Sequence, residues 1–203
     1  YASVDNVFNR VMPNFSGCNN DILFIDLGFG NMRMGGSSFC QTHKKLNFEN
    51  DDNWRDCPNF SHCHISNFKK LFYKIQEYIK KGWILSGHDK SDGGLITTLS
   101  EMSLSSNIGI NIHIPYHISS KNYIPFLFNE EIGLVIEIRP ENKKHIINDI
   151  SNLDVPIYDI GITKYDPNIL ILNSLDNVIY SNTIVNVREQ WEETSHQIEC
   201  KQA

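Results

Sequence analysis

Apolar residues follow different spacings along this 203-residue chain, and each spacing predicts a different kind of element. Residues 21–27 (DILFIDL) form a nearly continuous apolar run, which is typical of a buried strand. Residues 108–114 alternate isoleucine with Gly, Asn or His, which predicts a strand with one buried face. Residues 133–139 predict another strand. These segments therefore indicate a β-sheet as the centre of the fold.

Three longer segments show helical spacing. The first is predicted to begin after Ser66 as N-cap and to end at Gly82, and the second covers residues 141–152. The third runs from Thr183 to about Cys200. The predicted inward positions are Phe68, Leu71, Phe72, Ile75 and Ile79 in the first helix, Ile146, Ile147 and Ile150 in the second, and Ile184, Val187, Trp191 and Ile198 in the third.

The remaining pattern completes the expected architecture. Residues 158–163 and 169–173 predict a strand pair near the end of the sheet, joined by a turn at 164–168. A short helix is predicted after Gly35-Gly36, up to about His43, and residues 44–65 are expected to form a long polar loop. Helices mixed with strands in this way predict an α+β class, with a mixed β-sheet packed against helices.

Composition narrows the possible functions. Hydrophobic residues make up 40% of the chain and the formal charge is −6, so a core can form and nucleic acid is not an expected partner. We see neither a membrane-length apolar run nor a signal-peptide pattern. Five scattered cysteines favour reduced thiols and a cytoplasmic location. The first residue is Tyr1, which we interpret as a start inside a longer protein.

Segment 86–95 (SGHDKSDGGL) carries the strongest chemical signal. It follows an apolar run and precedes a helical pattern, so we expect a strand, a tight turn and a helix start, with Ser91 and Asp92 as capping residues. The N–H groups of a new helix attract phosphate, and Asp89 and Asp92 beside them would require a cation such as Mg²⁺. The hypothesis is a metal-bridged nucleotide phosphate site. A plain helix cap is the alternative.

Four motifs, in order, resemble those of the phosphoribosylformylglycinamidine synthase family, the amidoligases of purine biosynthesis. Residues 27–38 (LGFGNMRMGGSS) resemble the family's glycine-rich stretch, and residues 88–95 (HDKSDGGL) resemble its His-Asp-x-Ser-Asp-Gly-Gly-Leu signature. Residues 128–133 (FNEEIG) resemble Phe-x-Glu-Glu-Leu-Gly. Finally, residues 188–195 (REQWEETS) resemble the tether that leads into a glutaminase domain. The last motif favours the second synthetase half of the long, single-chain enzymes.

The resemblance implies a fold and a reaction. The fold is that of the C-terminal domain of aminoimidazole ribonucleotide (AIR) synthase. The reaction is that of an ATP-dependent ligase, in which formylglycinamide ribonucleotide, glutamine and ATP give formylglycinamidine ribonucleotide, glutamate, ADP and phosphate. In the long enzymes an auxiliary site holds ADP with Mg²⁺. The family's metal-binding aspartate corresponds to Asp89 and its nucleotide-contacting serine to Ser91. The resemblance assigns no catalytic residue to this chain.

The same resemblance implies a domain division and partners. Residues 1–180 would be the C-terminal-type synthetase domain, and residues 181–203 a helical tether toward a glutaminase domain that follows. The remaining synthetase domains of the full-length chain would complete each nucleotide cleft, so the isolated domain is expected to be inactive. The competing hypothesis is a non-catalytic remnant or scaffold module with the same fold.

Other residues have competing interpretations. A zinc site formed by the Cys and His residues of segment 57–64 is weighed against a polar loop, and the spacing favours the loop. His88 either transfers protons or, as we favour, orients Asp89 or packs at the strand end. Of Glu130 and Glu131, we expect one to cap or bridge and the other to face solvent. The glycines of residues 28–36 serve either phosphate approach or turn geometry.

Overall fold

The computed structural model describes residues 6–43, 56–58 and 62–202. Within these ranges one sheet of seven strands is packed with six α-helices and one short 3₁₀ helix, Ser120–Asn122. The strands are β1 (Asp21–Asp26), β2 (Ile84–Lys90), β3 (Gly109–His113), β4 (Gly133–Ile138), β5 (Ile157–Lys164), β6 (Asn168–Leu172) and β7 (Val178–Thr183). The α-helices are α1 (Ser38–Thr42), α2 (His62–Lys80), α3 (Gly94–Ser106), α4 (Tyr123–Phe128), α5 (Pro140–Ser151) and α6 (Ile184–Gln202).

The strand order across the sheet is β2-β4-β1-β5-β3-β6-β7. Neighbouring strands are antiparallel, except that β3 and β6 run parallel. A mixed sheet packed with helices confirms the predicted α+β class.

Strand β1 separates two hydrophobic cores, and all six of its residues are buried. Successive side chains of a strand point to opposite faces, so Phe24 lies in one core and Ile25 in the other. The Phe24 core includes Phe126 of α4, whereas the Ile25 core includes Leu71 of α2 and Ile146 of α5. Because both faces of β1 are covered, the strand is apolar at nearly every position, as its sequence predicts.

Several other predicted elements are confirmed. Strand β3 lies within the predicted segment 108–114, and β4 lies within 133–139. Helix α5 corresponds to the predicted helix over 141–152, and its Ile146 and Ile150 are buried as expected. Helix α1 occupies the short helix predicted after the glycine pair.

The start and the buried face of α2 differ from the prediction. The helix already includes His62, so Ser66 lies inside it rather than at its N-cap, on a solvent-exposed position where serine costs a helix little. Leu71 is buried, but the side chains of Phe68 and Phe72 are 43% and 51% exposed. Only part of the predicted apolar face therefore contacts the sheet.

The prediction that the strands at residues 158–163 and 169–173 pair with each other is wrong. Strands β5 and β6 both exist, but β3 lies between them and pairs with each. Strand β7, which the sequence analysis did not predict, pairs with β6 instead. The chain from β5 to β6 crosses the start of β3, where a Cβ on Gly109 would lie 1.8 Å from the carbonyl oxygen of Asp166. A glycine is required at this crossing because of that close approach.

Helix α6 follows β7 directly, close to the predicted start at Thr183. Ile184 is buried in the Phe24 core and Val187 packs against it. Trp191 and Ile198 are 53% and 51% exposed, so the predicted packing stripe is wrong beyond the first turns. The helix leaves the domain surface at that point, and the domain boundary at residue 180 stays a prediction.

Among the described residues, the helices fall short of the length and apolar character that a membrane span requires. Most of the predicted loop 44–65 lies outside the described residues, although residues 62–65 belong to α2.

Candidate functional site

The turn between β2 and α3 differs in detail from the sequence prediction. Strand β2 extends through Lys90, so Asp89 belongs to the strand, and the turn consists of residues 91–93. The N-cap of α3 is Gly93 with a φ of 82°, and it makes no side-chain capping hydrogen bond. The prediction that Ser91 and Asp92 cap this helix is therefore wrong, because the left-handed turn at Gly93 places the helix start beyond both of them.

Gly94 shows why the turn needs a glycine pair. Its φ is +75°, and an added Cβ would lie 2.7–2.8 Å from backbone atoms of residues 127–129. Neither a left-handed backbone nor such a contact suits a larger residue. The pair therefore lets the start of α3 pack directly against the C-terminal end of α4.

Asp89 and Ser91, the two predicted site residues, lie together at the surface. The Ser91 hydroxyl donates a hydrogen bond to Asp89 Oδ2, and the Asp89 side chain is 75% exposed. This hydrogen bond is the main cause that lowers the pKa of Asp89 below its ordinary value. Asp89 is therefore a carboxylate at neutral pH, as a ligand of a hard cation must be.

His88 flanks this carboxylate. Its Nδ1 lies 2.8 Å from the carbonyl oxygen of Asp89 and 3.4 Å from Asp89 Oδ1, while its Nε2 lies 3.4 Å from Glu101 Oε2. These contacts fit the expectation that His88 orients Asp89, which stays a prediction.

Glu130 occupies the position that the sequence analysis considered for phosphate. Its Oε1 accepts the backbone N–H of Gly93 at 2.8 Å, where α3 begins, and the backbone N–H of Ser38 at 2.9 Å, where α1 begins. The expectation that one of the two adjacent glutamates caps or bridges is confirmed. The Gly93 N–H is not free for a phosphate, because a carboxylate of the chain itself already accepts it.

Glu131 does not face solvent, contrary to the expectation for the second glutamate. Its side chain is 3% exposed, and it accepts hydrogen bonds from the Arg33 guanidinium, from Nε to Oε1 at 2.5 Å and from Nη2 to Oε2 at 2.9 Å. Gly28 lies against it, since a Cβ there would be 2.7 Å from Glu131 Cβ. The bidentate geometry compensates for burying the charge.

A buried lysine lies behind the turn. Lys90 is 6% exposed, and its Nζ donates to Asn129 Oδ1 at 2.6 Å and lies 5.1 Å from the Phe24 ring centroid. Burial lowers the pKa of Lys90 to about 8, against the opposing effect of Asp26, Glu131 and Glu130. Strand alternation points Lys90 and Asp89 to opposite faces of β2.

Asp26 completes this buried group. It accepts the N–H groups of Gly28 at 2.8 Å and Gly30 at 2.7 Å. Burial raises its pKa, and Lys90 opposes that effect. A cavity of about 160 Å³ opens between Asp26, Lys90 and the ring of Tyr158.

Three of the four sequence motifs therefore converge at one end of the sheet. The glycine-rich segment contributes Arg33, the segment with Asp89 contributes Lys90, and the FNEEIG segment joins both through Asn129, Glu130 and Glu131. The sequence pattern did not indicate Arg33, Asp26 or Lys90 as site residues. Continuing the alternation of β2 through residue 90 could have placed Lys90 on the buried side.

The fourth motif lies elsewhere, on α6. Arg188 donates from Nη2 to the carbonyl oxygen of Leu104 and, at 2.9 Å, to Asn107 Oδ1. The motif therefore ties α6 to the end of α3 and does not take part in the site.

The zinc hypothesis gains no support from the described residues. Cys57 is exposed, and the described ranges contain no group of three or more His, Cys, Asp or Glu side chains that could hold a metal ion. Residues 59–61 and the side chains of His62, Cys63 and His64, the other candidate ligands, lie outside the described part of the chain, so the zinc prediction is untested there.

The match to a known family gives the class to which the molecule belongs. The chain is a member of the family described as AIR synthase related protein, C-terminal domain, whose pattern matches residues 27–171. Phosphoribosylformylglycinamidine synthase of Dictyostelium discoideum is 35% identical to it over 221 residues, covering 100% of this chain and 16% of that protein. The Arabidopsis thaliana protein named "Probable phosphoribosylformylglycinamidine synthase, chloroplastic/mitochondrial" is 31% identical over 202 residues, covering 98% of this chain and 13% of that protein.

These relatives confirm the resemblance to phosphoribosylformylglycinamidine synthase, and the chain spans less than a fifth of their length. Solved structures agree on the fold. Thermotoga maritima PurL complexed with FGAR has a TM-score of 0.67 at 13% identity, covering 88% of this chain and 29% of that one. The hydrogenase maturation protein HypE has a TM-score of 0.54 at 18% identity, covering 86% of this chain and 55% of that one.

Proposed function

We propose that this chain is the second C-terminal-type synthetase domain of a long, single-chain phosphoribosylformylglycinamidine synthase. That ligase converts formylglycinamide ribonucleotide, glutamine and ATP to formylglycinamidine ribonucleotide in purine biosynthesis. The named relatives support the proposal, because each is several times longer than the part this chain matches. The observation that carries it is the ionised, exposed Asp89 near the end of β2, hydrogen-bonded to Ser91 of the turn that Glu130 holds.

The proposed role of this domain is to contribute to a Mg²⁺–nucleotide site. Mg²⁺ is commonly bound through one or two carboxylates, substrate phosphates and water, so a single exposed carboxylate is a fitting contribution. Asp89 would hold the ion, and Ser91, two residues further on and also exposed, would contact the nucleotide. Bound Mg²⁺ would neutralise part of the charge of the polyphosphate.

The chain's own residues would act by position and charge. The Ser91 hydroxyl lowers the pKa of Asp89 by its hydrogen bond, and Glu130 holds the turn that carries Ser91. The other ligands of the ion, and the rest of the nucleotide cleft, would come from the remaining synthetase domains. The isolated chain would therefore be inactive.

The partners follow from the same proposal. Residues 181–203 would lead as a helical tether toward a glutaminase domain that supplies ammonia from glutamine, and the exposed course of α6 beyond Val187 fits a connector. The complete protein would work in the cytoplasm, without nucleic acid or membrane as a partner.

The test uses the full-length protein that contains this chain. Asp89→Ala should lower the ADP that co-purifies and weaken Mg·ADP binding at least about tenfold, since the change removes a metal ligand. Asp166→Ala is the matched control, an exposed aspartate in the β5–β6 connection. Nucleotide content is measured by chromatography after denaturation, and affinity by calorimetry. Unchanged content and affinity in Asp89→Ala would favour the remnant or scaffold hypothesis.

A further inference from the structure

Glu130 connects the two glycine-bearing segments that surround the candidate site. One oxygen, Oε1, accepts N–H groups from Ser38 and Gly93, at the starts of α1 and α3. A displacement of either helix start must therefore change the hydrogen bond to the other. Residues 91–93 connect this oxygen to Asp89 through one short turn.

The residues on both sides of Glu130 are themselves fixed. Asn129 donates from Nδ2 to the carbonyl oxygen of Pro125 at 2.6 Å, and its Oδ1 accepts from Lys90 Nζ at 2.6 Å and from the Glu131 N–H at 3.2 Å. Glu131 is held by Arg33. Glu130 is therefore a firmly placed carboxyl group, and it holds the turn that carries Ser91, the hydrogen-bond donor to Asp89.

We propose that Glu130 is a positioning residue for the metal-binding carboxylate, acting on Asp89 through the Gly93 N–H rather than by touching the ligand. This inference rests on the proposed function. Its chemical basis is that groups which orient a metal ligand control metal affinity, typically by about 10–100-fold. The Glu130 carboxylate also lies at the positive N-terminal end of the α3 dipole, and this favourable interaction further stabilises the turn.

The variants separate positioning from direct binding. Glu130→Ala leaves the Ser38 and Gly93 N–H groups without their acceptor, and we expect the Mg²⁺-dependent gain in ADP affinity to fall at least about tenfold. Glu130→Gln keeps an oxygen acceptor at the same place, so we expect affinity within about threefold of wild type. A direct metal ligand would lose affinity in both variants.

The measurement is calorimetric titration of the full-length protein with ADP, with and without Mg²⁺. The ratio of the two affinities is the readout, because general destabilisation would not selectively remove the Mg²⁺-dependent part. Glu141→Ala is the control, an exposed glutamate in the first turn of α5. Because Glu130 acts through Asp89, adding Glu130→Ala to Asp89→Ala should lower the Mg²⁺-dependent gain in ADP affinity by less than about twofold more.

A second variant covers the case in which Glu130→Ala fails to fold. Ser38→Pro removes one N–H donor to Glu130 at the first position of α1, where proline is tolerated. We expect it to reduce the Mg²⁺-dependent gain by about threefold.

The outcomes are distinguishable. This inference alone would be overturned if Asp89→Ala loses the Mg²⁺-dependent gain in ADP affinity while Glu130→Ala keeps it. If Glu130→Ala does not fold, an unchanged gain in Ser38→Pro would overturn it in the same way. Equal loss in Glu130→Ala and Glu130→Gln would also overturn it, because it would mark a direct ligand. An unchanged affinity in Asp89→Ala would overturn both this inference and the proposed function.

Discussion

At the residue scale, the site depends on how closely charged side chains pack against glycine. Gly28 lies under Glu131 and beside Asp26, and both carboxylates are buried. Each has specific donors, Arg33 for Glu131 and two backbone N–H groups for Asp26. Burial of such groups is tolerated only with these partners in place, so small changes in their geometry should be costly.

Gly28→Ala tests this packing. The new Cβ would lie 2.7 Å from Glu131 Cβ and 3.0 Å from Asp26 Oδ1, so the buried carboxylates must move. We expect the free energy of unfolding to fall by about 1–3 kcal/mol, measured by urea denaturation. Gly17→Ala is the control, because its Cβ would meet the nearest atom at an ordinary 3.5 Å. Equal stability of the two variants would contradict the close packing.

Lys90 should make stability depend on pH. Burial lowers its folded pKa to about 8 from the ordinary 10.5, so between these values the unfolded chain binds more protons. The free energy of unfolding of wild type should therefore rise with pH across this window, relative to Lys90→Met, which has no such titration. Urea denaturation of both proteins from about pH 7 to about pH 10 measures the difference. Parallel pH profiles would show that folding does not lower the pKa of Lys90.

At the element scale, the sequence predicts the elements better than their order in the sheet. Apolar runs and alternation identify β1, β3 and β4 because burial imposes those patterns. Strand β7 escapes detection, since most of its residues are exposed at the sheet edge and no face is consistently apolar. The turn after β5 looks like a hairpin turn, and nothing local in it reveals that β3 inserts between β5 and β6.

Likewise, only part of the candidate site could be predicted from the sequence. Asp89 and Ser91 could be recognised from the sequence because they lie close together in one motif. The partners of the turn could not, because Glu130 and Arg33 come from distant segments that meet only in the folded sheet. The role of Glu131 was misjudged for a related reason, since its burial depends on an arginine almost a hundred positions away.

Lys143 joins three elements and offers an element-scale prediction. From α5 its Nζ donates to Asp21 of β1 at 2.9 Å and to Asp159 of β5 at 2.7 Å. Asp21 is buried, and among the described residues its Oδ2 has no hydrogen-bond partner. Lys143→Met would leave this carboxylate unpaired, and we expect a loss of about 1–3 kcal/mol in the free energy of unfolding.

Two further variants complete this experiment. Lys144→Met is the control, since that side chain is exposed. Adding Asp21→Asn to Lys143→Met should recover part of the loss, because the unpaired charge is removed. Lys143→Met as stable as Lys144→Met would show that the bridge contributes nothing.

At the scale of the whole molecule, the chain corresponds to only a small part of the length of its named relatives. It matches 16% and 13% of its named relatives, and exposed apolar residues lie on α2 and on the outer part of α6. The candidate site also contains only part of what a nucleotide site needs, since this chain contributes one ionised carboxylate and a firmly held turn. A functional nucleotide site would therefore be an assembly between this domain and the others of the full-length chain.

The most direct test of that account is a crystal structure of the full-length protein with ADP and Mn²⁺ in place of Mg²⁺, with the metal located by anomalous scattering. The account predicts a metal peak about 2.1 Å from an Asp89 carboxylate oxygen and in contact with a phosphate oxygen of the nucleotide. An Asp89 side chain turned to solvent, with every metal and phosphate beyond about 4 Å, would contradict it.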